Sequence, residues 1–424
     1  MEIVKVKVVK LIGVFGLFFI SFISIAQTID TSVYNKYVFI NHSINKIEND
    51  STSLRSFYEK LYQLNQQKNS KLVITHIGDS HNQADYMSGL VRQKMQLRFG
   101  NAGRGLIFPY RVAKSNEPTS YKTMSNKIWE YKRNVFPDKP LPIGVSGYTI
   151  QTLDSLAEIV VTVKDQPGLD YRFNLFTLFH DRGVENFDLT ICDEENCEQS
   201  LFTPKPNDAN SFVSSVKFEK PMRQIILRNK VVDTICQKST RIYGMLLEND
   251  SSGVLYNMIG VNGAEYRHYT ISKYFNQQLQ YLNTDLFIIS LGTNEAYSPG
   301  FDRNVFVNQV DTLINNMKAL NPNTNFIITT PSDSYRRAYK KGRVKNPDMK
   351  DAHDALIAYC LKNNLPYWNL YDIMGGYGSM QKWYVAKLTA KDKVHFSGRG
   401  YQIQGDLFYN ALMEGYEEYV KNIK

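Results

Sequence analysis

A chain of 424 residues is longer than one ordinary domain, and its 43% apolar and 21% charged residues exclude a disordered or collagen-like polymer. Four cysteines are too few for a disulfide-built scaffold, and no repeat period signals a solenoid. The formal charge of +9 comes from Lys and Arg scattered along the sequence, a distribution that does not favour nucleic acid; a generic solubilising charge and attraction to an anionic wall or membrane surface both remain open.

The chain opens with Lys5, Lys7 and Lys10, an uncharged apolar run over Leu11–Ile25, and the small residues Ser24 and Ala26 just before Gln27. Basic start, apolar middle and small cleavage site read as a secretory signal over residues 1–26, with an uncleaved membrane anchor as the alternative. No later apolar run approaches bilayer-spanning length. The expectation is an exported, periplasmic or cell-surface protein with no stable membrane insertion once the signal is cleaved. In an oxidising compartment Cys192 and Cys197 are spaced to permit a bridge, and no His or Cys pair nearby stands at zinc-ligand spacing.

Short apolar runs then alternate with helical patterns. Leu72–Ile77 predicts a strand followed by a helix from Ala84 to Phe99. Val254–Ile259 predicts a second strand leading into a helix from Glu265 to Leu282, and Asp285–Leu291 a third. After it, Val305, Phe306, Val310, Leu313, Ile314, Met317 and Leu320 share one helical face behind Asp302 as N-cap. Phe326–Thr330 and Leu365–Leu370 supply strands four and five, and a last helix runs from about Gly400 with Leu407, Phe408, Ala411 and Leu412 inward. Near-continuous apolar strands separated by helices mean a parallel sheet covered on both faces. The pattern breaks over residues 144–249, where short β runs and turn-rich pieces predict an inserted all-β sandwich.

Three short stretches bear chemistry. Gly78-Asp79-Ser80-His81 sets a serine just past a buried parallel strand, where open α/β sheets build their sites; the same wording also serves as a plain helix cap. Asp392-Lys393-Val394-His395 is spaced to hold an imidazole by its Nδ1–H and leave Nε2 free to take a hydroxyl proton, or else is a surface histidine with a capping aspartate. Gly292-Thr293-Asn294-Glu295 ends the third strand, and its Asn amide either donates to an oxyanion or closes an Asx turn. His76 reads as a buried strand residue. His81 is open between a substrate contact and a helix-start role. The loop Gly375–Ser379, with Trp383 after it, is a candidate border of the cleft. Of the 28 Tyr, 23 Phe and 3 Trp, most are expected in the core, although exposed rings suit sugar stacking.

Taken together and in this order, these stretches resemble the SGNH (GDSL) hydrolase family. The resemblance implies a flavodoxin-like three-layer α/β fold with Ser80 as nucleophile, His395 as general base and Asp392 as its orienting partner. Oxyanion donors would be the N–H groups of Ser80 and Gly263 and the side chain of Asn294, with neither metal nor cofactor. For the glycine of the second block, Gly144-Val145-Ser146-Gly147 competes with Gly260-Val261-Asn262-Gly263. Pro137, Pro140 and Pro142 make a poor strand ahead of the former, so Gly263 is chosen and Gly144–Gly147 is taken as the entrance to the insert. The β insert between blocks one and two resembles that of exported peptidoglycan O-acetylesterases. The implied organisation is a signal at 1–26, catalytic parts at 27–143 and 250–424, and a glycan-binding sandwich at 144–249. The implied activity is removal of O-acetyl groups from peptidoglycan. Deacetylation of xylan or another polysaccharide is the alternative, and a glycan-binding or O-acetyl-transfer protein without hydrolysis is the reading from another class.

Overall fold

A computed structural model describes residues 36–136, 141–192, 201–202 and 212–423. The expected signal over 1–26, and Cys197 with its expected bridge to Cys192, lie outside the described residues. Among those described, no helix is long and apolar enough to cross a membrane.

The central sheet has the order Ile47–Glu48, Tyr367–Trp368, Asn325–Thr329, Leu286–Ser290, Lys71–Gly78, Gly253–Gly260. The last five are parallel, and Ile47–Glu48 joins the edge antiparallel. Counted along the chain, the parallel strands stand in the flavodoxin-like order 2-1-3-4-5. Because side chains alternate along a strand, Val73, Ile77, Ile259 and Ile289 bury into one face while Leu72, Ile74, Val254 and Ile288 bury into the other. Each such side chain contributes about 1.5–3 kcal/mol by leaving water. The second face is covered by helices Arg55–Gln67, Met87–Phe99 and Gly398–Asn422. The first meets helices Arg303–Leu320 and Asp348–Lys362 and runs without interruption into the core of the insert.

The expected helix over 84–99 is broken: a single turn, Ser80–Gln83, precedes Met87–Phe99. Between them Asp85 takes a left-handed backbone with φ of 58°. The expected helix over 265–282 is three short pieces, Tyr266–Thr270, Phe275–Leu279 and Gln280–Leu282. There the Tyr274 N–H goes to the Ile143 carbonyl at 3.0 Å rather than along a helix, so a tertiary partner overrides the local period. Asp302 caps Arg303–Leu320 as expected, accepting from the Asn304 and Val305 N–H groups. Val305 and Leu320 face solvent, at the two ends of an otherwise buried stripe.

The insert is two antiparallel sheets. One runs Leu201–Phe202, Asp188–Cys192, Gln224–Lys230, Glu158–Val163, Tyr121–Ser125. The other runs Val213–Met222, Phe173–His180, Thr240–Glu248, Tyr148–Thr152, Glu130–Arg133, with Gly105–Ile107 added to Thr240–Glu248. Sandwich strands therefore begin well ahead of position 144, and Gly144–Gly147 is a turn inside the sandwich rather than its entrance. The early strands were illegible because they are short and nearly unpatterned. Glu130-Tyr131-Lys132-Arg133 has no apolar run, and its place is set by ladder bonds to Tyr148–Thr152.

A buried ion cluster ties insert to sheet. The Asp85 carboxylate lies 2.6 Å from Arg92 and 2.9 Å from Arg104, with all three side chains at most 2% exposed. Arg92 also donates to the Tyr171 hydroxyl, and Arg104 to Ser120 Oγ. Burial alone would raise the Asp85 carboxyl, but the two guanidiniums bring it below the usual range. Removing the carboxylate charge would strand two buried cations. Asp85→Asn, which keeps a residue tolerant of the left-handed backbone, is expected to cost about 3–5 kcal/mol. The measurement is a lowered urea midpoint at unchanged slope; an unshifted midpoint would contradict it.

Candidate active site

The site forms where the parallel strands end. Lys71–Gly78 delivers the chain to Asp79, whose Oδ1 accepts from the His81 N–H at 2.9 Å and so starts the turn that carries Ser80. From the other end of the chain, Asp392 Oδ1 accepts from the N–H groups of Val394 and His395, both at 3.0 Å. That small loop fixes the carboxylate before it meets the ring. Asp392 Oδ2 lies 2.7 Å from His395 Nδ1, and His395 Nε2 lies 2.8 Å from Ser80 Oγ. Ser80, His395 and Asp392 are thus brought into one hydrogen-bonded line.

The electrostatics match that geometry. The Asp392 bond, set against partial burial, raises His395 above its ordinary 6.5. Burial would push Asp392 up, but hydrogen bonds from the His395 ring and from two backbone N–H groups hold it well below the usual carboxylate range. This arrangement keeps the ring in one tautomer, with its second nitrogen turned to the serine.

Asn294, half-buried at the end of Leu286–Ser290, donates from Nδ2 to the Ala264 carbonyl at 2.9 Å and to Asp79 Oδ2 at 3.1 Å. It clamps the turn carrying Ser80 to the loop carrying Gly263, and an oxyanion bound here would share this amide with Asp79. Gly263 has φ of 85°, a left-handed backbone suited to glycine, and is exposed. Among the described residues no acceptor takes its N–H. The Gly147 N–H, by contrast, is used by the Gly144 carbonyl at 3.0 Å, and Gly147 packs beneath Val261.

Beside the line, His81 binds the Tyr401 hydroxyl through Nδ1 at 3.0 Å, and its ring lies 5.2 Å from that of His395. Burial lowers His81 to about 3, so it stays neutral. His76 is buried in its strand as expected, between Tyr256 and Ser290, and is likewise lowered to about 3 by burial. Trp383 does not border the cleft: it is fully buried, donates to the Met374 carbonyl and packs on Phe396, which bears directly on the histidine loop.

Residues 232–403 match the GDSL-like Lipase/Acylhydrolase family. That stretch matches the family of the SGNH hydrolases, and together with the fold it supports an SGNH esterase. The matched span contains Asn294, Asp392 and His395 but not Ser80, which the inserted sandwich separates from the rest. No curated protein sequence matches the chain. Among solved structures it is similar to a peptidoglycan O-acetylesterase, 20% identical, with a TM-score of 0.71 over 90% of this chain and 98% of the other. A GDSL-like lipase from Bacteroides thetaiotaomicron is 18% identical over 38% of this chain and 76% of its own, with a TM-score of 0.30. An acetyl xylan esterase is 15% identical over 38% and 81%, with a TM-score of 0.31.

Two groups of this SGNH site escaped the sequence reading. Asp79 is the buried partner of Asn294, raised to about 6 by burial against the hydrogen bond from the His81 N–H. Glu295 accepts from the Tyr266 N–H and is raised to about 8 by burial. Each adjoins a motif residue, yet only the folded packing shows that it is buried.

Because the charged form of His395 is the one that Asp392 favours, its ring should titrate above 6.5 while His76 and His81 stay neutral down to low pH. Ring-proton NMR shifts against pH check this, and Asp392→Asn should bring the His395 midpoint down. An unmoved midpoint would mean that the carboxylate does not act on the ring.

Proposed function

We propose that the chain is an exported serine carbohydrate esterase that removes O-acetyl groups from peptidoglycan through an acyl-enzyme. The observation that carries this reading is the continuous line from Ser80 Oγ through His395 to Asp392, with distances of 2.8 and 2.7 Å. It is supported by the likeness in fold to a peptidoglycan O-acetylesterase, which extends over the insert as well as the α/β body.

Ser80 Oγ attacks the acetyl carbonyl as its proton passes to His395 Nε2, and Asp392 stabilises the imidazolium through Nδ1–H. The carbonyl oxygen becomes an oxyanion taken up by the N–H groups of Ser80 and Gly263 and by the Asn294 amide. Losing one such donor costs about 3–4 kcal/mol of transition-state stabilisation. His395 returns the proton to the departing sugar hydroxyl as the C–O bond breaks, leaving acetyl-Ser80. Water, deprotonated by the same nitrogen, then releases acetate and restores the serine. The inserted sandwich would hold the polymer, and export rests on the sequence pattern of residues 1–26.

Ser80→Ala should reduce hydrolysis of p-nitrophenyl acetate by about 10⁴-fold or more with an unchanged circular dichroism spectrum. Unaltered turnover would remove Ser80 from the mechanism. Purified enzyme should release acetate from O-acetylated peptidoglycan in preference to acetylated xylan. The reverse preference would move the substrate to another polysaccharide, and acetyl transfer without free acetate would reject hydrolysis. Mass spectrometry of the exported protein should place its N-terminus at Gln27; an intact leader would favour a tethered form.

A further inference from the structure

Between the fourth parallel strand and helix Asp348–Lys362 the chain makes a two-stranded ribbon, Tyr335–Ala338 with Gly342–Lys345. Its eleven residues, Tyr335 to Lys345, hold three arginines, three lysines and no acid. The register sets Tyr335 opposite Lys345, Arg336 opposite Val344 and Arg337 opposite Arg343. With side chains alternating along each strand, Tyr335, Arg337, Arg343 and Lys345 share one face and Arg336 takes the other. Arg336 is neutralised by Asp348 at 2.5 Å. Arg337, Lys340, Lys341, Arg343 and Lys345 are exposed and, among the described residues, have no carboxylate at ion-pair distance. Two like charges directly opposite each other weaken a strand pair. Folding alone gives no reason for Arg337 to face Arg343.

The ribbon stands beside the catalytic line. The Tyr335 N–H donates to the Lys393 carbonyl at 2.9 Å, and Lys393 Nζ lies 4.6 Å from the ring centres of both Tyr335 and Tyr384. Lys393 is two residues from His395, and the Arg343 charge reaches far enough to oppose protonation of that ring. The cationic face, which includes Tyr335, is therefore on the side of the histidine loop. Exposed rings accompany the charges: Lys345 Nζ lies 5.4 Å from the centre of Tyr377, Tyr384 is exposed, and Tyr339 at the ribbon's tip is 88% exposed.

We infer that this ribbon is an anion-binding arm of the active site, which seats carboxylates carried by the acetylated glycan while the neighbouring tyrosines stack on its sugars. The chemistry follows from the side chains. Paired guanidiniums present planar forks suited to carboxylates, and a bound carboxylate relieves the repulsion between Arg337 and Arg343. Each strand spans about 13 Å, the length of two to three sugar units, so the arm reads several units rather than one ester. The inference rests on the glycan-esterase reading and narrows it to an acidic polymer, against a neutral one such as xylan.

The test uses the full chain with the charge-removing pair Arg337→Gln and Arg343→Gln, and the conservative pair Arg337→Lys and Arg343→Lys. The substrates are O-acetylated peptidoglycan, the same polymer with its carboxylates amidated, and p-nitrophenyl acetate as reference. For the wild type, the ratio of polymer to small-ester kcat/KM should fall about tenfold or more on amidation, chiefly through KM. The glutamine pair should show the same loss on the intact polymer and no further loss on the amidated one. The lysine pair should keep most of the ratio, and high salt should erase the difference between polymers. Without polymer, the glutamine pair should melt at or above the wild-type temperature. Equal ratios for wild type and glutamine pair on intact polymer, or a lower melting temperature, would overturn the inference. If no polymer releases acetate, the esterase reading fails separately. Co-sedimentation of the Ser80→Ala protein with intact and amidated polymer then decides the arm, and equal binding overturns it. Tighter binding to phosphatidylglycerol vesicles than to the intact polymer would also overturn it, in favour of a membrane surface.

Discussion

Everything in the site depends on three parallel strands that stop level with one another. Gly78 lies beside Gly260 on one side and Ser290 on the other, so the loops that follow must emerge together. The strand ends are closed tightly. A Cβ on Gly78 would stand 2.7 Å from the Asn82 side chain, and one on Gly260 would stand 2.5 Å from the Gln83 backbone nitrogen. Glycine at both positions lets the short helix Ser80–Gln83 settle onto the sheet edge. The carbonyls there are taken by buried hydroxyls, Tyr269 on Gly78 at 2.6 Å and Tyr110 on Gly260 at 3.1 Å. Tyr110 belongs to the stretch between two sandwich strands, so the insert helps to build the floor of the site.

Charge is graded across the site. Beneath it lie Asp79 and Glu295, carboxyls raised towards neutrality by burial, and among the described residues neither forms an ion pair. At the surface, Asp392 is lowered and firmly ionised. Hydrogen bonding accounts for the contrast: Asp392 accepts from a ring nitrogen and two backbone N–H groups, while Glu295 Oε2 is buried with no partner among the described residues. An unpaired buried carboxylate is costly, and proton uptake relieves the cost. Negative charge at the mouth is thus concentrated behind the imidazole, where it favours the imidazolium.

The parallel sheet was legible because buried parallel strands are near-continuous apolar runs, as in Leu72–Ile77 and Val254–Ile259. The three motif stretches were legible because their spacing is local: Asp392 and His395 meet within one small loop. What escaped was set by distant partners. Helix 84–99 breaks because Asp85 turns into a carboxylate seat for Arg92 and Arg104, the second of which lies 19 residues away. The sandwich strands before position 144 carry little apolar alternation and are fixed by pairing with later strands, Gly105–Ile107 reaching farthest, to Thr240–Glu248. Arg337 and Arg343 read as scattered surface charge until register set them face to face. Trp383, next to the loop expected at the cleft, went inward because a large ring gains more by packing on Phe396 than by exposure.

The sandwich lies between two strands that are immediate neighbours in the sheet, and Ser80 and His395 stand 315 positions apart. Contacts of such long range close slowly, because the intervening loop must be ordered before they repay its entropy. A growing or truncated chain holds Ser80 without His395. The Ser80–His395 hydrogen bond can form only late in synthesis, once the stretch leading into Gly398–Asn422 has been made. The order in which the polypeptide is made thus decides when these two side chains can first meet.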